Sequence, residues 1–94
     1  MKVNVTLNLY IPAVDIRGKS INLDVDDNTT ILDLVNLIDK ANSGFKNNIL
    51  VNGEEISNEF IIFINGNNVV SQEGLRTTLH CNDEVNVIPA IAGG

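Results

Sequence analysis

The feature that most constrains this chain is a change in the period of its apolar residues. Val3, Val5, Leu7 and Leu9 alternate with Asn4, Thr6, Asn8 and Tyr10, and Ile21, Leu23 and Val25 alternate again. A period of two sends one row of side chains to a core and the other to solvent, the mark of a half-buried strand. Ile31, Leu34, Val35 and Ile38 then recur at i, i+3, i+4 and i+7, which lines one face of a helix. Pro12 stops the first strand because proline cannot donate to a ladder. Arg17-Gly18-Lys19 reads as a turn, so the two strands are expected to form a hairpin with a long loop at residues 11–17. Thr30 fits an N-cap, with Asp33 in the capping-box position three residues on. The helix is expected to run to about Ala41, and Gly44 beyond it suits a positive φ.

The rest is less regular. Ile49-Leu50-Val51 and Glu54-Glu55-Ile56 flank Asn52-Gly53, a pair that supplies the positive φ angles of a type I′ turn, so a small hairpin is expected there. Phe60–Ile64 is the most apolar run and reads as a central strand buried on both faces. Asn65-Gly66 is a second turn, after which Val69-Val70 is expected to pair back as a short edge strand. Leu75 and Leu79 suit a single 3₁₀ turn. Glu84–Ile88 is the last strand, with Val85 and Val87 facing inward, and Pro89 ends it. The order strand, strand, helix, short strands, strand gives an α+β class. The expected architecture is a β-grasp (ubiquitin-like) domain over residues 1–89: a mixed sheet of four to five strands on one main helix. Residues 90–94 are expected to form a flexible tail.

Composition narrows the function. The chain has 94 residues, enough for one core without staples. Twelve acidic against six basic residues give a formal charge of −6. Phosphate binding needs clustered Lys and Arg, so this balance argues against nucleic acid and against an anionic membrane surface. It suits a basic protein partner, since complementary charge speeds encounter. Cys81 is the single cysteine, which excludes an internal disulfide. No apolar signal core precedes the first strand, and no run reaches the roughly 18 apolar residues of a membrane span. The cytoplasm is the expected location.

Side-chain chemistry is sparse. His80-Cys81 invites a metal or nucleophile reading, but zinc needs three or four ligands and the chain holds one His and one Cys. Asp24-Val25-Asp26-Asp27-Asn28 lacks the glycine and the terminal glutamate of a calcium loop. Glu54-Glu55 and Asp83-Glu84 are chain neighbours rather than an acid and a base facing across a cleft. No glycine-rich phosphate loop occurs. No metal site, no bound cofactor and no catalytic side chain are expected; the chain does not read as an enzyme.

What stands out instead is the end: Val87-Ile88-Pro89-Ala90-Ile91-Ala92-Gly93-Gly94. Glycine lacks a Cβ, so such a terminus can approach a channel wall closely. Ala90 and Ala92 keep the tail slim, and Ile91 is its one larger side chain, suited to an apolar pocket that sets register. From Pro89, five further residues extend about 17 Å at roughly 3.3 Å each, long enough to enter a buried site while the domain stays outside. If Ile64 and Val87 point inward, Phe63 and Ile88 point outward, and apolar groups on the sheet face away from the helix mark a docking surface. The competing arrangement has residues 45–59 folded over that face.

Three stretches carry a resemblance. Thr30-Ile31-Leu32-Asp33-Leu34 is similar to a family helix start. Ile62-Phe63-Ile64-Asn65-Gly66-Asn67-Asn68-Val69 resembles a strand, Asn-Gly turn and strand. Leu79 to Gly94 resembles an ending of leucine, turn, Asp-Glu-Val, apolar strand, proline and Ala-Gly-Gly. Together they resemble the ubiquitin-like sulfur carriers, the family of the molybdopterin synthase small subunit (MoaD) and the thiamine sulfur carrier (ThiS). Asn42-Ser43-Gly44-Phe45, a further small hairpin at Glu73-Gly74-Leu75-Arg76-Thr77 and Ile88 to Gly94 resemble the longer branch typified by the cysteine-synthesis carrier CysO. Where family members usually carry Asp-Gly-Asp before the last strand, this chain has Cys81-Asn82-Asp83; asparagine tolerates the left-handed conformation, so the turn survives.

The resemblance implies a carrier without catalytic side chains. A peptide C-terminal carboxyl, with an ordinary pKa of about 3.5, is an anion and a poor acyl electrophile at neutral pH. An ATP-using activating enzyme of the MoeB/ThiF type would adenylate the Gly94 carboxylate. A sulfur donor would convert it to a thiocarboxylate, and a sulfur-accepting synthase would take the sulfur for cysteine, methionine or molybdopterin-type biosynthesis. Gly93, Ala92, Ile91, Ala90 and Pro89 would be read by these partners as the tail, with Phe63 and Ile88 at the docking face. Two alternatives use the same features: a ubiquitin-like modifier that forms isopeptide bonds through Gly94, and a non-catalytic β-grasp binding subunit.

Overall fold

The period-two rows of the N-terminal half pair with each other. A computed structural model describes residues 1–9 and 19–90. In it Lys2–Leu9 (β1) and Lys19–Asp26 (β2) run antiparallel with Lys2 opposite Asp26 and Leu9 opposite Lys19. The loop expected at 11–17 lies outside the described residues. Val3, Val5, Leu7 and Leu9 are buried, and Ile21, Leu23 and Val25 face the same way from β2.

Helix α1 (Ile31–Ala41) closes over that row. Its start is fixed as the sequence suggests: the Thr30 Oγ1 accepts from the Asp33 N–H at 3.2 Å, and the Asp33 carboxylate accepts from the Thr30 N–H at 3.1 Å. The reciprocal pair satisfies two N–H groups that a helix start otherwise leaves without partners. Ile31, Leu34, Val35 and Ile38 are its buried stripe. The helix ends where the Asn42 N–H donates to the Ile38 carbonyl at 2.9 Å. Gly44 then takes φ 97°, a left-handed conformation that costs glycine little, and turns the chain into a second helix, α2 (Phe45–Ile49).

The short α2 departs from the sequence expectation, which had only a small hairpin between residues 45 and 59. Phe45 and Ile49, one helical turn apart, are almost completely buried. The hairpin itself forms as expected around Asn52-Gly53, as β3 (Leu50–Val51) and β4 (Glu55–Ile56), with φ 56° and 71° at the two turn residues. β5 (Phe60–Ile64) and β6 (Asn67–Asn68) repeat the arrangement around Asn65-Gly66. Two other expectations fail. Val69-Val70 is not an edge strand: Val69–Ser71 is a 3₁₀ turn, because the Asn68 side chain accepts from the Val70 N–H at 2.9 Å and β6 has already supplied the edge. Glu73–Thr77 is not a hairpin; the single 3₁₀ turn expected around Leu75 forms there instead, at Gly74–Arg76, closed by Arg76 N–H to Glu73 O at 3.0 Å and Thr77 N–H to Gly74 O at 3.1 Å.

The last strand, β7 (Glu84–Pro89), enters the middle of the sheet. The five-strand order is β2-β1-β7-β5-β6, with β7 parallel to β1 and antiparallel to β5. Val85 and Val87 join Ile62 and Ile64 in the core beneath α1. β5 is buried on one face only: Ile61 and Phe63 are half-buried, because both helices lie on the other side of the sheet with Ile62 and Ile64. A core of Leu, Ile and Val side chains, each worth about 1.5–3 kcal/mol when fully buried, holds this assembly without cross-links. The architecture is the expected α+β fold: a mixed five-strand sheet packed on one main helix.

Candidate functional site

The C-terminal tail leaves from the end of β7, and its root is well tied. Pro89 pairs with Phe60 at the end of the ladder, where its missing N–H leaves no gap in the sheet interior. One residue further, the Ala90 N–H donates to the Glu59 carbonyl at 2.8 Å. Glu59 belongs to a tight turn: its own N–H donates to the Ser57 Oγ at 3.2 Å, and the Phe60 N–H to the Ser57 carbonyl at 3.1 Å. The Ser57 N–H in turn donates to the Ile49 carbonyl at the end of α2, at 2.7 Å. Backbone hydrogen bonds therefore link the tail root to the helix side of the domain. Ile91, Ala92, Gly93 and Gly94 lie outside the described residues. Counted from Ala90, four residues span about 13 Å at roughly 3.3 Å each, shorter than the reach counted from Pro89.

The sheet face away from the helices divides into two parts. Over β2, β1 and β7 it is a lattice of side-chain amides. The Asn4 Nδ2 donates to the Asn22 Oδ1 at 2.6 Å and to the Asp24 Oδ1 at 2.9 Å, and the Asn22 Nδ2 returns a bond to the Asn4 Oδ1 at 2.9 Å. The Asn8 Nδ2 donates to the Asn86 Oδ1 at 2.8 Å across the parallel pair. Over β7 and β5 the same face turns apolar. Ile61 stands opposite Ile88, and Phe63 opposite Asn86. Phe63 and Ile88 thus point outward, as the alternation requires, and each is half-buried. Residues 45–50 do not cover them, because Phe45, Ile49 and Leu50 pack into the core on the opposite side of the sheet. Ile88 sits one residue before Pro89, so the apolar part of the face adjoins the tail root.

At the other end of β7 a second polar cluster sets the strand's start. Asp83 is buried, and its carboxylate accepts from the His80 N–H at 2.7 Å and from the Asn65 Nδ2 at 2.9 Å. The Asn65 Oδ1 accepts from the Glu84 N–H at 2.9 Å, and Asn82 carries the turn at φ 69°. The sequence offered no warning of this lock, since it placed Asp83 beside Glu84 and in the turn before the last strand but gave it no partner. His80 approaches Asp83 at 3.8 Å from its Nδ1, while Cys81 is exposed. Among the described residues no three His, Cys, Asp or Glu side chains converge as a metal would require, and no helix is long and apolar enough to cross a membrane.

The model of the ThiS family matches residues 9–94, which takes in the helix, both Asn-Gly turns, the last strand and the tail. This chain belongs to the ThiS family. A protein of Archaeoglobus fulgidus provisionally named a sulfur carrier protein is 35% identical over 89 residues, 94% of this chain and 98% of the relative. Small archaeal modifier protein 3 of Haloferax volcanii is 33% identical over 76 residues, 81% of this chain and 82% of the relative. In structure, a Haloferax volcanii protein solved in solution superposes with a TM-score of 0.79 at 27% identity, over 99% of this chain and 88% of that one. The Amycolatopsis orientalis BexX/CysO complex contains a chain that superposes at 0.75 with 22% identity, over 96% of this chain and 99% of that one, a likeness of fold. As a ThiS-family protein the chain is a ubiquitin-like sulfur carrier of the β-grasp fold, and such proteins are carriers rather than enzymes.

Proposed function

We propose that this ThiS-family chain carries sulfur as a thiocarboxylate on Gly94. The observation that supports this most is that the family match runs through to residue 94, across the Ala-Gly-Gly ending. In the proposed cycle an ATP-dependent activating enzyme of the MoeB/ThiF type binds the domain and takes the tail into its site. The Gly94 carboxylate oxygen attacks the α-phosphorus of ATP, and pyrophosphate leaves. A sulfide-equivalent nucleophile from a sulfur donor then attacks the acyl carbon, and AMP leaves with the C–O bonding pair. The thiocarboxylate passes to a synthase that accepts the sulfur for cysteine, methionine or molybdopterin-type biosynthesis in the cytoplasm. Residues 1–89 serve as the domain and 90–94 as the tail. Gly93, Ala92, Ile91, Ala90 and Pro89 are read by the partner's channel, with Ile91 filling an apolar pocket. Phe63 and Ile88 dock on the partner beside the channel mouth, where half-buried apolar side chains on an otherwise polar sheet face give a contact of the required kind. The carrier brings no cofactor of its own; the ATP belongs to the partner.

Co-expression with an activating enzyme encoded beside this chain tests the cycle. Intact mass should rise by the exchange of one oxygen for one sulfur, and fragmentation should place the change on Gly94. No exchange with any such enzyme overturns the reading. A second reading is favoured by the likeness to a small archaeal modifier protein: the activated Gly94 is passed to a lysine to form an isopeptide bond. Its sign is a branched tryptic peptide in which a lysine of another protein carries Thr77–Gly94, because Arg76 is the last basic residue of the chain. A binding subunit that makes no use of its terminus would keep its function when Gly94 is deleted.

A further inference from the structure

The two Asn-Gly turns share similar φ angles, although the first loop has three residues between its paired positions and the second has two, and they differ in what holds the asparagine. Asn52 and Asn65 have φ 56° and 52°, and the glycines that follow have 71° and 85°. Asn52 is exposed, and its carboxamide has no hydrogen-bond partner among the described residues. Asn65 is held by three bonds: its Nδ2 donates to the Asp83 Oδ1 at 2.9 Å, its Oδ1 accepts from the Glu84 N–H at 2.9 Å, and its own N–H donates to the Glu84 carbonyl at 2.8 Å. We propose that Asn52 is a site of spontaneous deamidation in the folded protein, and that Asn65, with the same motif, is kept inert by its hydrogen bonds.

The step balances without any other reactant but water. The Gly53 backbone nitrogen attacks the Asn52 Cγ, the N–Cγ bond forms, and the Cγ–Nδ2 bond breaks. The nitrogen's proton leaves with the amide nitrogen as ammonia, and a five-membered imide remains. Water then adds to one of its two carbonyls and opens the ring to aspartate or isoaspartate. Glycine makes the attack possible because no Cβ shields its nitrogen. At Gly53 the surroundings are open as well: a Cβ built there would meet only the Lys46 Cε, at 3.7 Å. For Asn65 the same attack requires the carboxamide to rotate away from both Asp83 and Glu84. A hydrogen bond to a charged group is among the stronger ones, so the open form is rare and the reaction slower by roughly tenfold or more.

The two outcomes also differ in consequence. A carboxylate at position 52 adds charge to an exposed turn that already carries Glu54 and Glu55. A carboxylate at position 65 would stand against the buried Asp83 and withdraw the amide donor that Asp83 accepts from. The turn that starts β7 therefore depends on an amide at 65, while the β3–β4 turn has no such need.

The test is a time course of the full chain in warm, mildly alkaline buffer, read by peptide mapping with isoaspartate detection, folded and in denaturant. In denaturant both sites are expected to convert at similar rates. In the folded chain Asn52 is expected to keep most of its unfolded rate and Asn65 to fall at least tenfold behind it. Asp83→Ala is expected to bring Asn65 toward the rate of Asn52; the folded-against-denatured comparison of the unsubstituted chain decides the matter if that variant does not fold. Equal rates at the two sites in the folded chain overturn the proposal. So does an Asn52 that stays an amide while its denatured counterpart converts.

Discussion

Thr30 and Asp33 each satisfy the other's backbone N–H, and together they decide where α1 begins. Thr30→Ala removes the acceptor for the Asp33 N–H and should cost about 1 kcal/mol in urea unfolding. A change within experimental error of zero would show that the cap is idle. Asp83 bears more. Asp83→Ala leaves the His80 N–H and the Asn65 amide without their acceptor, and about 1–3 kcal/mol should be lost, since polar groups left unpaired cost their full desolvation. The two sites also show what can be read from sequence. The capping box joins residues three apart and its letters are visible in order. The Asp83–Asn65 lock joins residues eighteen apart, and no local pattern reveals which turn lies beside which. By contrast the Lys2–Asp26 ion pair, at 3.1 Å with both side chains well exposed, should contribute little.

Among the elements, strands with a clean alternation and the one long amphipathic helix were legible, while short pieces were not. α2 carries only two buried residues, Phe45 and Ile49, too few to show a helical period against the background of an apolar chain. Its place is set by burial rather than by propensity, since isolated helices of this length do not form in water. Phe45→Ala should therefore cost about 3–5 kcal/mol, as for a core aromatic, and unfolding by circular dichroism would measure it. A loss under about 1 kcal/mol would mean that α2 merely covers the core. Val69-Val70 misled for a related reason: two β-branched residues suggest a strand, yet Asn68 caps a 3₁₀ turn and leaves Val69 buried and Val70 exposed. Phe63 and Ile88 point outward as a period of two requires, whereas the unbroken apolar run of β5 suggested burial on both faces and gave no sign that one face is only half-buried. Phe63→Ser should cost about 1 kcal/mol of stability, as expected for a half-buried aromatic, and weaken binding of the still-folded chain to the activating enzyme several-fold in a titration. Unaltered affinity would remove Phe63 from the docking face.

For the molecule as a whole, the parallel insertion of β7 between β1 and β5 is the decisive feature, and spacing could not supply it. It belongs to the β-grasp architecture as a whole and to no local pattern in the chain. The insertion means that the last strand is held on both sides while its end emerges beside an apolar patch. The Ala90 N–H should accordingly exchange slowly with solvent deuterium, as a ladder hydrogen bond does, and exchange as fast as in a free peptide would move the start of the tail back by a residue. The proposed reactive end rests on the Gly93-Gly94 sequence, which the family match includes. The most direct measurement is ATP–pyrophosphate exchange by the cognate activating enzyme, with the full chain and with a chain lacking Gly94. Exchange that requires Gly94, with both chains equally folded, is the expected result. Equal exchange with the shortened chain, or none with either, would contradict the claim that the carboxylate of Gly94 is the group this protein exists to present.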